Sequence, residues 1–358
     1  MKKLIQFELR KIFSRRLTQI ALIILVLLSV FLGILGYQNK YAFDAAGHEG
    51  TGKTAVEIDK EIADRYEGLL TDKKVQQMMS EFTPKSDLHG MNAVYIYQNA
   101  MQSAAFARFS DMNGQWNGSS VSDIFGNEEI RIGYVDGWLT SSQNMAKVFI
   151  MLSCVIAVMI APVYCREYSG VDNIILTSKY GRTKCGEAKI YAGMIAAFTV
   201  TFIVVALNIL LALILYGSDG LDCSILFAPL NYAEGYIPFN ITCGMLLRYQ
   251  ILLAFTGAMS VAGITLLVSA ISKNQMIAVV IAAALYFIPA ILPVSEASPL
   301  FQLIGLLPLY HAQFISLMSV DQMSSGLLYA VWAAPAAVVF IACGTFVSRK
   351  IFAKHQVA

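Results

Sequence analysis

The run Leu17-Thr18-Gln19-Ile20-Ala21-Leu22-Ile23-Ile24-Leu25-Val26-Leu27-Leu28-Ser29-Val30-Phe31-Leu32-Gly33-Ile34-Leu35-Gly36 contains no Asp, Glu, Lys, Arg or His. A helix needs about 20 apolar residues to cross the hydrocarbon of a bilayer, so this run is long enough to span. A lone segment in hydrocarbon must satisfy its own backbone amides, and helix is the conformation that does so. Five further runs of the same kind follow: Ala146–Tyr164, Ile190–Tyr216, Leu246–Ile271, Gln275–Pro293 and Leu327–Val347. Their charge-free parts are 148–164, 190–216, 249–271, 275–293 and 327–347. None alternates apolar with polar as the strands of a closed barrel would. Of the 358 residues 57% are apolar and 14% charged, with a mean hydropathy of +0.60. Soluble domains run near 45–50% apolar and about 25% charged. The expected fold class is an all-α polytopic membrane protein with six transmembrane helices.

Basic residues orient the chain. Lys2, Lys3, Arg10, Lys11, Arg15 and Arg16 precede the first run, and Arg166, Lys179, Arg182, Lys184 and Lys189 follow the second. Lys273 follows the fourth, and Arg349, Lys350 and Lys354 follow the last. Residues 217–245 and 294–326 carry no Lys or Arg. Short loops rich in Lys and Arg stay in the cytoplasm, which places both termini there and favours an even number of spans. The chain then divides into a cytoplasmic interfacial helix (1–16), span one (17–36), an extracellular domain (37–145), span two (146–164), a cytoplasmic loop (165–189), span three (190–216), an extracellular loop (217–245), spans four (246–271) and five (275–293), a broken segment (296–318), span six (327–347) and a cytoplasmic tail (348–358). The domain at 37–145 holds nine basic residues, with Lys147 just beyond, but long segments escape the charge rule. No small-residue cleavage pattern follows the first run, so it reads as an uncleaved helix.

Within 37–145 the periodicity predicts helices over Thr54–Met79 and His89–Phe109, and the Gly, Ser and Asn of Asp111–Asn127 predict a loop. A small, mostly helical domain is expected. In Met1–Arg16, Ile5, Leu9, Ile12 and Phe13 share a helical face. That pattern predicts a helix in the membrane plane, basic side chains toward anionic lipid headgroups. Pro299 and Pro308 break the apolar stretch at 296–318 into pieces too short to span. Two short helices dipping into the outer leaflet fit it.

Residues Gly47–Thr54 match the phosphate-loop pattern G-x-x-x-x-G-K-[ST]. No buried strand precedes them, and the reading is a glycine-rich linker with Thr54 near a helix start. Net charge is +2, which points to no nucleic-acid partner. His48, His89, His311 and His355 are isolated in sequence, so no metal spacing exists. Cys154 and Cys343 fall in spans, and Cys165 and Cys185 in the cytoplasm. Cys223 and Cys243 share one extracellular loop and are a candidate disulfide. Asn208, the strongly polar side chain in span three, reads as an interhelical hydrogen-bonder or a pathway residue. Ion-coupled transporters generally need carboxylates or histidines at membrane depth. These runs have none, so the energy for any transport must come from elsewhere. Pro289 and Pro293 predict a kink in span five.

The loop at 165–189 reads Cys165-Arg166-Glu167-Tyr168-Ser169-Gly170-Val171-Asp172-Asn173-Ile174-Ile175-Leu176-Thr177-Ser178-Lys179-Tyr180-Gly181-Arg182-Thr183-Lys184, then Glu187-Ala188-Lys189. A short helix with Val171, Ile174 and Ile175 exposed near the membrane needs a partner. Glu167, then Gly170, a short apolar helix, Arg182 and Lys189 together resemble the coupling-helix segment of ABC-2-type exporter permeases. Phe7-Glu8-Leu9-Arg10-Lys11-Ile12-Phe13 resembles that family's elbow helix, and 296–318 its re-entrant helices. The resemblance implies an ATP-driven exporter subunit that is not itself an enzyme. Separate ATP-binding subunits would dock under 165–189, with ATP and magnesium bound there and no cofactor on this chain. It also implies a second permease chain, identical or not. Glu167, Gly170, Ile174, Ile175, Arg182 and Lys189 would couple to the ATPase, and Glu8, Arg10 and Phe13 would belong to the elbow. The extracellular domain departs from simple members of that family. The alternative is a non-transporting membrane sensor or scaffold whose extracellular domain binds a ligand.

Overall fold

The computed structural model describes residues 1–44, 46–83, 99–111, 114–168, 172–178, 180–228, 239–292, 294, 298–311 and 329–355. It is mostly helical. Helix α1 (Lys2–Phe13) leads into α2 (Arg16–Gln38). An insert domain follows, built from β1 (Tyr41–Phe43), β2 (Glu49–Thr51), α3 (Lys53–Tyr66), β3 (Gly68–Leu69), α4 (Asp72–Phe82), α5 (Ala100–Phe109), α6 (Val121–Phe125) and β4 (Arg131–Ile132). Helix α7 (Asp136–Ile160) continues through α8 (Pro162–Cys165), and the short α9 (Asp172–Thr177) precedes α10 (Gly186–Tyr216). Helices α11 (Cys243–Ile271), α12 (Gln275–Ile291), α13 (Pro299–Gly305) and α14 (Tyr329–Lys354) complete the described part.

Among the described residues, five helices are long and apolar enough to cross a membrane: Arg16–Gln38, Asp136–Cys165, Gly181–Tyr216, Cys243–Ile271 and Val331–Lys354. Helix α12 is apolar but has only 17 residues. At 1.5 Å per residue that is roughly 26 Å. Asn274 caps its start, accepting from Met276 N at 2.8 Å, while Pro289 falls in its last turn rather than its middle. Pro293 lies outside the described residues. Helices α7 and α11 are the most enclosed, with α2, α10 and α12 around them and α14 laid along α11. Helices α11 and α14 approach closely because glycines face each other. A Cβ on Gly344 would lie 2.4 Å from the Gly263 carbonyl.

Helix α7 begins ten residues before the expected span, since the polar run from Asp136 is covered by protein rather than lipid: Ser141, Ser142 and Asn144 are buried. The last helix likewise runs on to Lys354, through most of the expected tail. Residues 327 and 328 lie outside the description. Of the broken segment, α13 and a 3₁₀ turn at Pro308–Tyr310 are described; Ser298 caps α13 and Pro299 occupies its first position. Residues 296, 297 and 312–318 are outside the description.

In the insert domain the single helix expected at Thr54–Met79 is two. Gly68, at φ +106, breaks the chain between α3 and α4, and Thr71 caps α4. The expected helix at His89–Phe109 is described only from Ala100, with residues 84–98 outside the description. The expected loop at Asp111–Asn127 contains α6, started by a capping box of Ser120 and Asp123. The phosphate-loop pattern falls on β2 of the β1–β2 hairpin, antiparallel with Tyr41 opposite Thr51, and on the start of α3 at Lys53. A parallel strand leading into a phosphate loop is absent from this stretch. The domain has its own core of Ile58, Ile62, Met78, Phe82, Phe106 and Phe109, which continues onto Tyr216 at the end of α10.

Candidate functional site

Helix α1 supplies the first wall of a site at its end of the bundle. Ile5, Leu9, Ile12 and Phe13 do share a face, but that face packs against the long helices, and Ile12 is 1% exposed. Protein, not lipid, covers it. Docking α1 this way turns Glu8 inward, where it is buried. Lys189, in the first turn of α10, meets it there. The Lys189 ammonium is fully buried and lies 3.2 Å from Glu8 Oε2 and 2.7 Å from Glu167 Oε1. It also donates to Val163 O at 3.1 Å. Lys11 completes the ring, 3.2 Å from Glu8 Oε1 and hydrogen-bonded to Glu167 Oε1.

Two carboxylates and two ammonium groups from three separate segments therefore neutralise one another. A buried charge is tolerable only with such pairing. Burial alone would raise the Glu167 carboxyl, but Lys189 and Lys11 outweigh it and hold the group below the ordinary carboxylate range. For Lys11 burial works against the charge, and the hydrogen bond and charge of Glu167 overcome it, so its ammonium is held above the ordinary lysine value. Glu167 Oε2 is buried with no hydrogen-bond partner among the described residues.

Above this ring opens a groove of about 840 Å³ between α1 and α9. Leu4, Phe7, Ile174 and Tyr180 line its walls, and Lys11 and Glu167 its floor. Phe7 is 60% and Ile174 73% exposed. Arg182 does not face the groove's floor. Its guanidinium donates to Leu176 O at 3.2 Å and to Ala353 O and His355 O at 2.9 and 3.0 Å. It thus ties α9 to the C-terminal carbonyls of α14, where a cation is favoured. The Tyr168 ring stacks on His355 at 4.0 Å, and Glu187 pairs with Arg349 at 2.5 Å. The groove wall is thereby fastened to the last helix.

Of the residues singled out in the sequence, Glu8, Glu167 and Lys189 converge directly. Ile174 projects into the groove, and Arg182 braces its wall. Arg10 is exposed, and Phe13 is half-buried against the bundle. Gly170 lies outside the described residues, as does the side chain of Ile175. Asn208 is buried and donates to Val204 O of its own helix at 2.9 Å, so it lines no open path here. Cys223 and Cys243 are both buried at the far end of the bundle, with Cys243 N donating to Cys223 O at 2.9 Å. They sit opposite each other beside the Ser224–Thr242 bridge, their sulfurs unbonded. Sequence reasoning missed Lys11 as a member of the ring. The available signal was its position three residues after Glu8, on the same helical face. Among the described residues no three His, Cys, Asp or Glu side chains gather as a metal site.

The fold and the site define a multi-pass helical membrane protein with a charged, groove-bearing end. Comparison with family models, with curated proteins and with solved structures found no match to this chain.

Proposed function

We propose that this chain is the membrane-spanning permease subunit of an ATP-driven exporter of the ABC-2 type. The observation that carries the reading is the groove over the Glu8–Lys11–Glu167–Lys189 ring. It exposes Phe7 and Ile174 beside an ionic floor that joins α1, the segment just after α8, and α10. An exposed apolar patch rimmed by charge marks a protein-docking surface. A separate ATP-binding subunit is the occupant, and its closure on ATP pushes α9. Because the ring ties α9's neighbourhood to α1, and α1 continues into α2, that push moves the long helices rather than only the loop. The same end carries the basic residues of both termini, and the charge rule for short loops supports reading it as the cytoplasmic end. Helix α12 serves as the sixth span, and α13 with the turn at Pro308–Tyr310 as re-entrant pieces covered by the bundle. Two permease chains, identical or sister, enclose the pathway, and the insert domain lies outside the cell. The cargo class is a peptide, antimicrobial or lipid-like molecule.

The test is association and turnover. Purified gently from its native membranes, the chain should bring an ATP-hydrolysing subunit with it. Ile174→Glu, a change on an exposed side chain, should abolish association while leaving the chain folded. Should no ATP-hydrolysing subunit associate, the sensor or scaffold reading replaces this one.

A further inference from the structure

The opposite end of the bundle holds a second buried ion cluster that the export reading does not use. Lys40, just past α2, lies 2.6 Å from Asp59 of α3 and is hydrogen-bonded to Asp136, the first residue of α7. The three side chains are 11%, 2% and 20% exposed. Asp59 Oδ1 also accepts from Ala100 N at 3.0 Å, which holds the start of α5 to the same point. The insert domain is thus seated on the helix ends by one lysine and two carboxylates. That sum is one negative charge too many for an enclosed site, whereas the ring at the groove end balances.

Among the described residues, the groups facing the cluster besides Lys40, Asp59 and Asp136 are two phenols and a lysine. Tyr134 and Tyr216 are 5% and 4% exposed, and each hydroxyl is buried without a hydrogen-bond partner among the described residues. Both phenols are close enough to Asp136 to sense its charge. Tyr37 meets the Tyr216 ring edge-on at 5.6 Å. Lys60 lies over the Tyr134 ring at 5.4 Å, but its ammonium is committed to Asp219 at 2.8 Å. Neither Lys60 nor a phenol supplies the missing positive charge.

We propose that Lys40, Asp59 and Asp136 form a proton-binding site at the root of the insert domain, in which the two carboxylates share one proton and its uptake tightens the domain's seat on the helix ends. With the proton the cluster is neutral, because the carboxylates then carry one negative charge against the one positive charge of Lys40. Burial raises the Asp59 carboxyl above its ordinary range despite the pull of Lys40, in keeping with this. A carboxyl whose affinity for protons rises on docking makes docking stronger as pH falls toward its undocked value. The sign is opposite to that of an ordinary salt bridge.

The experiment is hydrogen exchange of the full-length chain in lipid nanodiscs, from about pH 8 to about pH 5, with protection corrected for intrinsic exchange. Protection of α3 and α5 should rise as pH falls, by up to about tenfold per pH unit for one proton. Asp59→Asn and Asp136→Asn each restore neutrality without a proton, so each should keep the high protection and lose the pH dependence. His48→Gln removes the imidazole paired with Asp44 on the β1–β2 hairpin and should leave the dependence intact. The proposal is overturned if wild-type protection does not change with pH. It is equally overturned if the dependence survives in both Asn variants, or if both leave the domain loose throughout. Using two variants guards against one failing to fold.

Discussion

Lys189 shows how much a single side chain can commit. Its ammonium is wholly buried, so removing it leaves Glu8 and Glu167 with Lys11 as their remaining cation among the described residues and one negative charge unbalanced. Breaking a buried pair from one side costs about 3–5 kcal/mol. Lys189→Met should therefore lower the unfolding temperature of the purified chain markedly, and an unchanged temperature would show that the ring is dispensable. The ring's pH dependence follows from its two shifted groups. Glu167 is held below its ordinary value, so its contribution is complete above about pH 4.3 and is lost as pH falls through the depressed value. Lys11 is held above its ordinary value, so its contribution is complete below about pH 10.4 and is lost as pH rises through the raised one. The stability gap between wild type and Glu167→Gln should be widest near neutrality and shrink toward acid, as thermal scans across pH would show. At this scale the sequence revealed Glu8, Glu167, Arg182 and Lys189 as charges at span ends but not their partners. Lys189 and Glu8 are 181 positions apart, and no local pattern encodes such a contact. Arg182 reads locally as a turn residue, yet two of its bonds reach the far end of the chain.

At the scale of elements, the α11–α14 crossing is the most demanding. The obstacle to a side chain at Gly344 is the backbone of Gly263, which cannot rotate away. Overpacking of this kind costs about 1–3 kcal/mol. Gly344→Val should thus lower the unfolding temperature, and an unchanged temperature would show that the crossing tolerates a side chain there. The long apolar helices were legible because charge-free runs of that length have one stable conformation in hydrocarbon. The ends were not. Helix α7 gains its extra turns from Asp136 onward because neighbouring protein covers the polar side chains, and hydropathy does not register such cover. The break at Gly68 was hidden because the apolar spacing continues in phase across it, from Ala63 to Leu70. Helix α1 is legible from its pattern, but the protein surface its apolar face packs on is not, because amphipathicity does not say which apolar surface lies opposite.

For the whole molecule, the two ion clusters bracket α2 and α7. The groove-end ring joins α1, which leads into α2, with the segment just after α8, and the Lys40 cluster joins the far ends of α2 and α7 to the insert domain. The orientation in the proposed function places these clusters on opposite faces of the membrane. In a cysteine-free background, Asn127→Cys should react with an impermeant maleimide on intact cells, and Ser178→Cys only after permeabilisation. Both positions are exposed. Labelling of both from outside would remove the cytoplasmic assignment of the groove. The central claim is that the groove between α1 and α9 receives an ATP-binding subunit. A photo-reactive amino acid at Ile174, crosslinked in native membranes and analysed by mass spectrometry, tests it most directly. The account predicts an adduct to a protein carrying a nucleotide-binding phosphate loop; an adduct to lipid alone, or to a protein without that loop, would contradict it.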